Sequence, residues 1–302
     1  MTSILTNVAA MSALQTLRSI NNSLETTQAN VSSGYRVAEA KDNAAYWSIA
    51  TTMRSDNQAL SAVSDALGLG AAKVDTAYSA MDNAIDIVSE IKAKIVAATE
   101  NGVDKTKIQN EISQLQKQLL SVAQSASFSG ENWVAGNGTK SVVSSFVRGA
   151  NGEVSVQTTD YELDDSSTGN VLFGMDGSGA IDTETGIIGT PNGTYGSIYS
   201  MDISEFSVED LNATLTGVEA GLSALTKAAS QLGSISTRID LQDSFVSDLS
   251  DSIDSGVGRL VDANMEEESS KLTALQTQQQ LAIQSLSIAN SSAQNVLTLF
   301  QN

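Results

Sequence analysis

Charge is almost missing from both ends of this chain, and that limits what the ends can become. From Met1 to Tyr35 the only charged side chains are Arg18 and Glu25, and after Lys271 there are none up to Asn302. A helix whose outer face meets water normally carries charge on that face. These ends are polar only through Ser, Thr, Asn and Gln, yet their apolar residues are regularly spaced. Ile4, Val8, Met11, Leu14, Leu17, Ile20 and Leu24 recur at gaps of three and four, a helical stripe. Leu272, Leu275, Gln279, Ala282, Leu286, Ala289, Ala293, Val296 and Phe300 alternate the same gaps, a heptad seam interrupted by one Gln. Leu281 and Ile288, with Ile283 and Leu297, add a second stripe. One antiparallel helix pair cannot bury both faces. The remainder is expected to be covered by further copies of the same arms, so the chain is expected to self-associate. Neutral arms would then avoid confining unpaired charges, which is costly.

Composition removes several function classes. The 302 residues carry 16 Lys plus Arg against 35 Asp plus Glu, a net charge of −19. Such a surface repels nucleic acid and anionic membrane. No apolar run approaches the roughly 18 residues of a membrane span. There is no Cys and no His, which excludes disulfides, thiolate and imidazole metal ligands, and nucleophiles activated by His. No motif supports a Ser-Lys dyad or a carboxylate pair, so no catalytic, cofactor-binding or metal-binding residue is assigned. The acidic loop Asp176–Asp182 lacks an acid at its third position and the terminal Glu of a calcium loop. The N-x-S/T sites at Asn137 and Asn192 are of a kind frequent by chance in a Ser/Thr-rich chain. The start, Met1-Thr-Ser-Ile, has no basic n-region. Export is therefore expected by a route that keeps the N-terminus.

The single Pro, Pro191, lets long helices run on either side of it. An Ala-rich helix is expected from about Ala44 to Thr99, with Gly68 and Gly70 as an irregularity. Asn101-Gly102 stops it and Asp104 caps the next, in which Ile108, Ile112, Leu115, Leu119 and Val122 form the stripe. Between about 130 and 206 lie 13 of the 22 Gly. Ser141–Val147, Val154–Thr159 and Ile198–Ile203 read as strands there, giving a small β-rich insert. Ser207-Val-Glu-Asp210 resembles a capping box. It opens a helix striped by Val208, Leu211, Leu215, Val218, Leu222, Leu225, Leu232, Ile235 and Ile239, continuing through Phe245, Leu249 and Ile253. About fifty residues at about 1.5 Å each make a rod of roughly 80 Å. The predicted fold is mainly α: a long antiparallel helical rod with coiled-coil terminal arms and the β-rich insert. The domain reading is terminal arms at 1–42 with 264–302, a rod at 43–135 with 207–263, and a variable outer part at 136–206.

One segment is more specific than the layout. Val31-Ser-Ser-Gly-Tyr-Arg-Val-Ala-Glu-Ala-Lys-Asp-Asn-Ala-Ala45 resembles the N-terminal hallmark of bacterial flagellins, matching at Ser33-Gly34, Arg36, Ala40-Lys41-Asp42 and Ala44-Ala45. Asn295-Val-Leu-Thr-Leu-Phe300, preceded by Gln294, resembles their C-terminal ending. The likeness covers about 1–135 and 207–302, and Ala44–Ala50 is similar to the alphaproteobacterial, rhizobial type. It implies a secreted, non-enzymatic subunit of the extracellular flagellar filament, exported unfolded through a type III apparatus and folded under a cap. It also implies arms that stay largely disordered until they join a concentric tube of homopolymer, with other flagellins as further co-assembling copies. The C-terminal helix is expected to line the channel, where Gln276, Gln278, Gln280, Gln284, Ser285, Ser291 and Ser292 would make a neutral polar wall. An export chaperone, cap and hook-junction proteins are the implied partners. Gly34 is expected in a turn with positive φ. Arg36, Lys41 and Asp42 are candidates for intersubunit ion pairs. The alternatives are a hook–filament junction protein and a secreted coiled-coil adhesin.

Flagellins are also sensed by plant and animal receptors, and the resemblance places those windows at Ala29–Ala50 and near Glu90–Lys94. Here Asn43 stands where the family often has Asp, and Tyr46 where it has Gly. Glu90, Ala93 and Lys94 stand where the pattern has Arg, Glu and Leu. A bulky Tyr and a reversed charge are expected to weaken both contacts.

Overall fold

Nearly every long helix begins where the sequence supplies a side-chain cap. The computed structural model describes residues 7–149, 151–191 and 195–299, with the backbone alone for 292–299. Its elements are α1 (Val8–Ser33), α2 (Ala44–Ala98), α3 (Lys105–Ser125), β1 (Ser127–Phe128), β2 (Glu131–Asn132), β3 (Gly138–Arg148), β4 (Val154–Leu163), β5 (Gly174–Met175), β6 (Ile181–Asp182), α4 (Gly186–Gly189), α5 (Val208–Val261) and α6 (Met265–Leu299). Oδ1 of Asn7 accepts from the amide of Ala10 at 3.0 Å, and Oδ1 of Asn43 from that of Tyr46 at 3.1 Å. Asp104 accepts from the amides of Thr106 and Lys107. Asn264 does the same for Glu266 and Glu267. At α5 the box is reciprocal: the Ser207 amide donates to Asp210 at 2.8 Å, and the Asp210 amide to Ser207 Oγ at 3.2 Å. Each such cap satisfies amide donors that the first turn leaves open. The Ser207 bonds, with one from Tyr195, hold the Asp210 carboxyl below its usual range.

The chain divides into two compact units, residues 1–58 with 251–302, and residues 59–250. In the first, α1 and α6 lie antiparallel, since Asn7 bonds to the carbonyl of Ala289 and Asn30 to Glu268. Val37, Ala50, Val257 and Val261 make a small buried cluster, with Met53 packed on it.

In the second unit, Leu67, Val74, Met81, Val88, Ile91 and Ile95 of α2 are fully or nearly buried, as are Ile112 and Leu119 of α3 and Leu211, Val218, Leu225 and Leu232 of α5. Ion pairs join α2 to both neighbours, Lys94 to Glu111 at 2.5 Å and Lys92 to Glu219. Helix α2 runs unbroken through Gly68 and Gly70, so the expected irregularity is absent there. Gly70 has another reason: a β carbon on it would collide with Cγ1 of Val142 on β3.

Two strand segments hold and one does not. β3 and β4 pair antiparallel from Gly138 opposite Leu163 to Arg148 opposite Val154, with a bulge between Val143 and Ser145. One face of this ribbon buries Val142, Thr159, Tyr161 and Leu163. Residues 198–203, expected as a strand, form a turn and loop instead. Ser197 and Ser200 bond each other's amides and the Met201 amide returns to Ser197. Ile198, Met201 and Ile203 are buried, so their apolar spacing serves a loop pinned to α3 rather than a ladder. Gln116 of α3, buried, donates to the carbonyls of Ile198 and Met201, both at 3.1 Å. Accordingly the buried face of α3 is Ile108, Ile112, Gln116, Leu119 and Ala123. Leu115 and Val122, which the stripe assigned to it, are half-buried.

Candidate self-association site

The seam between α1 and α6 sorts the apolar residues of the arms into two sets. On α6 the covered positions are Leu272, Leu275, Gln279, Ala282, Leu286 and Ala289, the heptad seam of the sequence, preceded by Glu268. On α1 they are Ala10, Ala13, Leu17, Ile20, Leu24 and Thr27. Val8 (70% exposed), Met11 (64%) and Leu14 (38%) turn away from the partner helix, as do Leu281, Ile283 and Ile288. The N-terminal stripe therefore divides: Leu17, Ile20 and Leu24 meet α6, while its first turns face outward. Two grooves flank the pair. One, of about 730 Å³, is lined by Met11, Leu14, Arg18 and Leu286. The other, of about 670 Å³, is lined by Thr16, Ile20, Leu281 and Ala282. Ile4 and Phe300 lie outside the described residues, as do the side chains of Val296 and Leu297.

Apart from Gln279, which interrupts the heptad, the polar side chains along the seam stand outside the apolar pattern. Gln279 Nε2 donates to Asn21 Oδ1 at 2.7 Å, Asn7 Nδ2 to the Ala289 carbonyl at 2.9 Å, and Asn30 Nδ2 to Glu268 Oε1 at 3.4 Å. Thr27 is the one fully buried side chain described in α1. Their signal is positional: Thr27 and Asn30 continue the gaps of three that follow Leu24.

The hallmark segment forms the turn after α1. Gly34 has φ 76° and its amide closes the helix on the Asn30 carbonyl, which only a residue tolerant of the left-handed region does cheaply. The Arg36 and Val37 amides donate to the Val261 carbonyl, and the Ala263 amide to that of Gly34. Each charged side chain here has a partner within the chain. Arg36 donates to the Leu260 carbonyl at 2.9 Å, and Asp42 accepts from the amides of Ala38 and Glu39. Lys41 pairs with Glu39 at 2.8 Å, whose hydrogen bond and charge hold the ammonium above its usual range. Tyr46 is 40% exposed, and Glu90 and Ala93 are exposed. The hydrogen bond that Lys94 donates to Glu111 pushes its ammonium up in the same way. Among the described residues no cluster of three or more acidic side chains is placed to hold a metal ion.

Residues 4–139 match the family model for the bacterial flagellin N-terminal helical region, and residues 215–300 that for the C-terminal helical region. The chain belongs to the bacterial flagellin family. It is 56% identical over 322 residues to flagellin C of Rhizobium meliloti (strain 1021), the alignment covering all of both chains. It is 49% identical over 398 residues to flagellin B of Rhizobium meliloti and 44% identical over 307 residues to a flagellin of Brucella melitensis, again over the whole of each. This flagellin is a structural subunit of the extracellular flagellar filament, where it homopolymerises, and not an enzyme.

Proposed function

We propose that this flagellin polymerises through the apolar faces its arm pair leaves open. The observation that carries this is the division along the seam: Leu17, Ile20, Leu24, Leu272, Leu275 and Leu286 cover one another within the chain, while Val8, Met11, Leu14, Leu281, Ile283 and Ile288 do not. Apolar side chains left exposed side by side along one helix pair mark an interaction surface. Contacts between different faces of identical copies extend into an open filament. Ile4, Val296, Leu297 and Phe300 extend the same stripes by pattern. In this reading 1–42 with 264–302 form the filament's inner core, 43–135 with 207–263 the rod around it, and 136–206 the outer part. Gly34, Arg36, Lys41 and Asp42 hold the turn between core and rod. The export chaperone, cap and hook-junction proteins belong to the same proposal, because the charge-poor apolar faces of the arms need cover before they polymerise.

A second proposal concerns recognition. Tyr46 projects a ring at the start of α2 and Glu90 is exposed on the same helix, while Lys94 is engaged by Glu111. With Asn43 and Ala93, these residues are expected to make the monomer a poor stimulus for both receptor types. Strong activation at low concentration would overturn that. The assembly reading is tested by adding purified monomer, and a copy lacking residues 273–302, to short filament seeds under the electron microscope. Growth from the full chain and none from the truncation is expected; equal growth of both would refute assembly through the arms.

A further inference from the structure

We propose that the polar contacts between α1 and α6, the Asn21–Gln279 pair foremost, set the register in which the two arms pair. The apolar part of the seam repeats every seven residues, so it cannot do this alone. Sliding α6 by one heptad, about 10 Å along the axis, again lays small and branched apolar residues on Ala10, Ala13, Leu17 and Ile20. What such a slip destroys is the set of polar matches. Gln279 leaves Asn21, which then faces Leu272 or Leu286. Glu268 leaves Asn30, although Glu268 Oε2 is already buried without a partner among the described residues. The Asn21–Gln279 bond lies at the exposed edge of the seam, so a slip there trades a direct bond for water, while the Asn7 and Asn30 bonds lost with it are part-buried. Together these losses oppose the slipped pairing, as polar residues fix register in a coiled coil at some cost in stability. The lone Gln in the heptad seam is therefore a positioning residue, acting on how the helices align rather than on whether they associate.

The chain's lack of Cys makes the register directly readable. Three cysteine pairs are introduced separately: Ala13→Cys with Ala282→Cys, which line one groove, and the slipped pairs Ala13→Cys with Leu275→Cys and Ala13→Cys with Ala289→Cys, one heptad to either side. A seven-residue displacement exceeds disulfide reach, so each pair reports one register. Each is placed in the native background, in Asn21→Leu with Gln279→Leu, and in the swap Asn21→Gln with Gln279→Asn. All are copolymerised on filament seeds with an excess of native chain and then oxidised. Growth of the native chain alone is the control for the assembly reading on which the readout rests.

The native and swap backgrounds should form the Ala13–Ala282 cross-link. The double Leu background should gain slipped cross-links by about tenfold, equivalent to about 1.4 kcal/mol. Slipped cross-links unchanged from the native background would overturn the proposal. So would failure of the double Leu chain to incorporate while the swap incorporates, because the pair would then govern association and not register.

Discussion

The carbonyl of Gly34 accepts a hydrogen bond from the amide of Ala263 at 2.8 Å, tying the end of α1 to the residue two before α6. The bond depends on the left-handed backbone at Gly34, φ 76°. A β carbon there meets no neighbouring atom within 4 Å, so the objection to one is conformational and not steric crowding. Gly34→Ala is expected to cost about 1–2 kcal/mol, and Gly34→Asn less. Hydrogen exchange at the Arg36, Val37 and Ala263 amides, which share this turn, should accelerate by roughly tenfold in the Ala variant. Unchanged exchange would mean the turn does not rely on the glycine.

Gly70 and Val142 give a second prediction whose sign decides it. In an exposed helix interior, Gly→Ala stabilises by up to about 1 kcal/mol. Here the added carbon meets the Val142 side chain, and overpacking costs about 1–3 kcal/mol. Gly70→Ala is thus expected to lower the denaturation midpoint, and Val142→Ala made in the same chain to recover most of the loss. A midpoint that rises in the single variant would show that β3 yields freely to α2.

Much of this fold was legible in the sequence because its helices are long, capped and periodic. The Asp104 cap and the Ser207–Asp210 box lie where the sequence places them, and the α6 seam is the heptad read from Leu272 onward, whereas the Asn7, Asn43 and Asn264 caps emerge only from the structure. What failed did so for physical reasons. Gln116 replaces an apolar residue in the core of α3 because two loop carbonyls need a donor, and an apolar count cannot register that. Ile198–Ile203 alternate like a strand, but strand propensity measures burial on a pleated surface, and a loop held by Ser197 and Gln116 buries the same residues. Val8 and Met11 continue the period of Leu17, yet the α1 face that meets α6 runs through Ala10 and Ala13, whose small side chains allow close approach and are weak in any hydrophobic count.

Acid should weaken the second unit partly through Glu131. Its carboxylate accepts from Lys73 Nζ at 3.0 Å and Trp133 Nε1 at 3.2 Å. The Lys73 bond first, and the Trp133 bond second, hold the carboxyl below its ordinary value. A carboxyl depressed in the folded state contributes stability above its unfolded pKa, about 4.3, and loses it as pH falls through the folded value. The side chain is 42% exposed, so solvent screening keeps the contribution under about 1 kcal/mol. The difference in melting temperature between native and Glu131→Gln chains should be present at pH 7 and shrink between pH 4.5 and 3, values set by that carboxyl range. A difference independent of pH would assign it to packing instead.

The opposite limb of the pH curve belongs to Tyr161. Its ring stacks on Trp133 with centroids 5.9 Å apart and planes 6° from parallel, and its hydroxyl is buried with no partner among the described residues. Burial pushes the phenol up to about 12, against about 10 when unfolded. Between those values the unfolded chain releases a proton that the folded chain keeps, so stability falls as pH rises through 10. Tyr161→Phe retains the stack and removes both the ionisation and the unpaired hydroxyl. At pH 7 it should match the native chain or exceed it by about 1 kcal/mol, and its melting temperature should decline less steeply from about pH 9 to 11.5, the range bracketing the unfolded phenol. Parallel declines would mean that the hydroxyl reaches solvent in the folded protein. A loss at neutral pH would mean that it has a partner, such as an ordered water, bridging β4 to its surroundings.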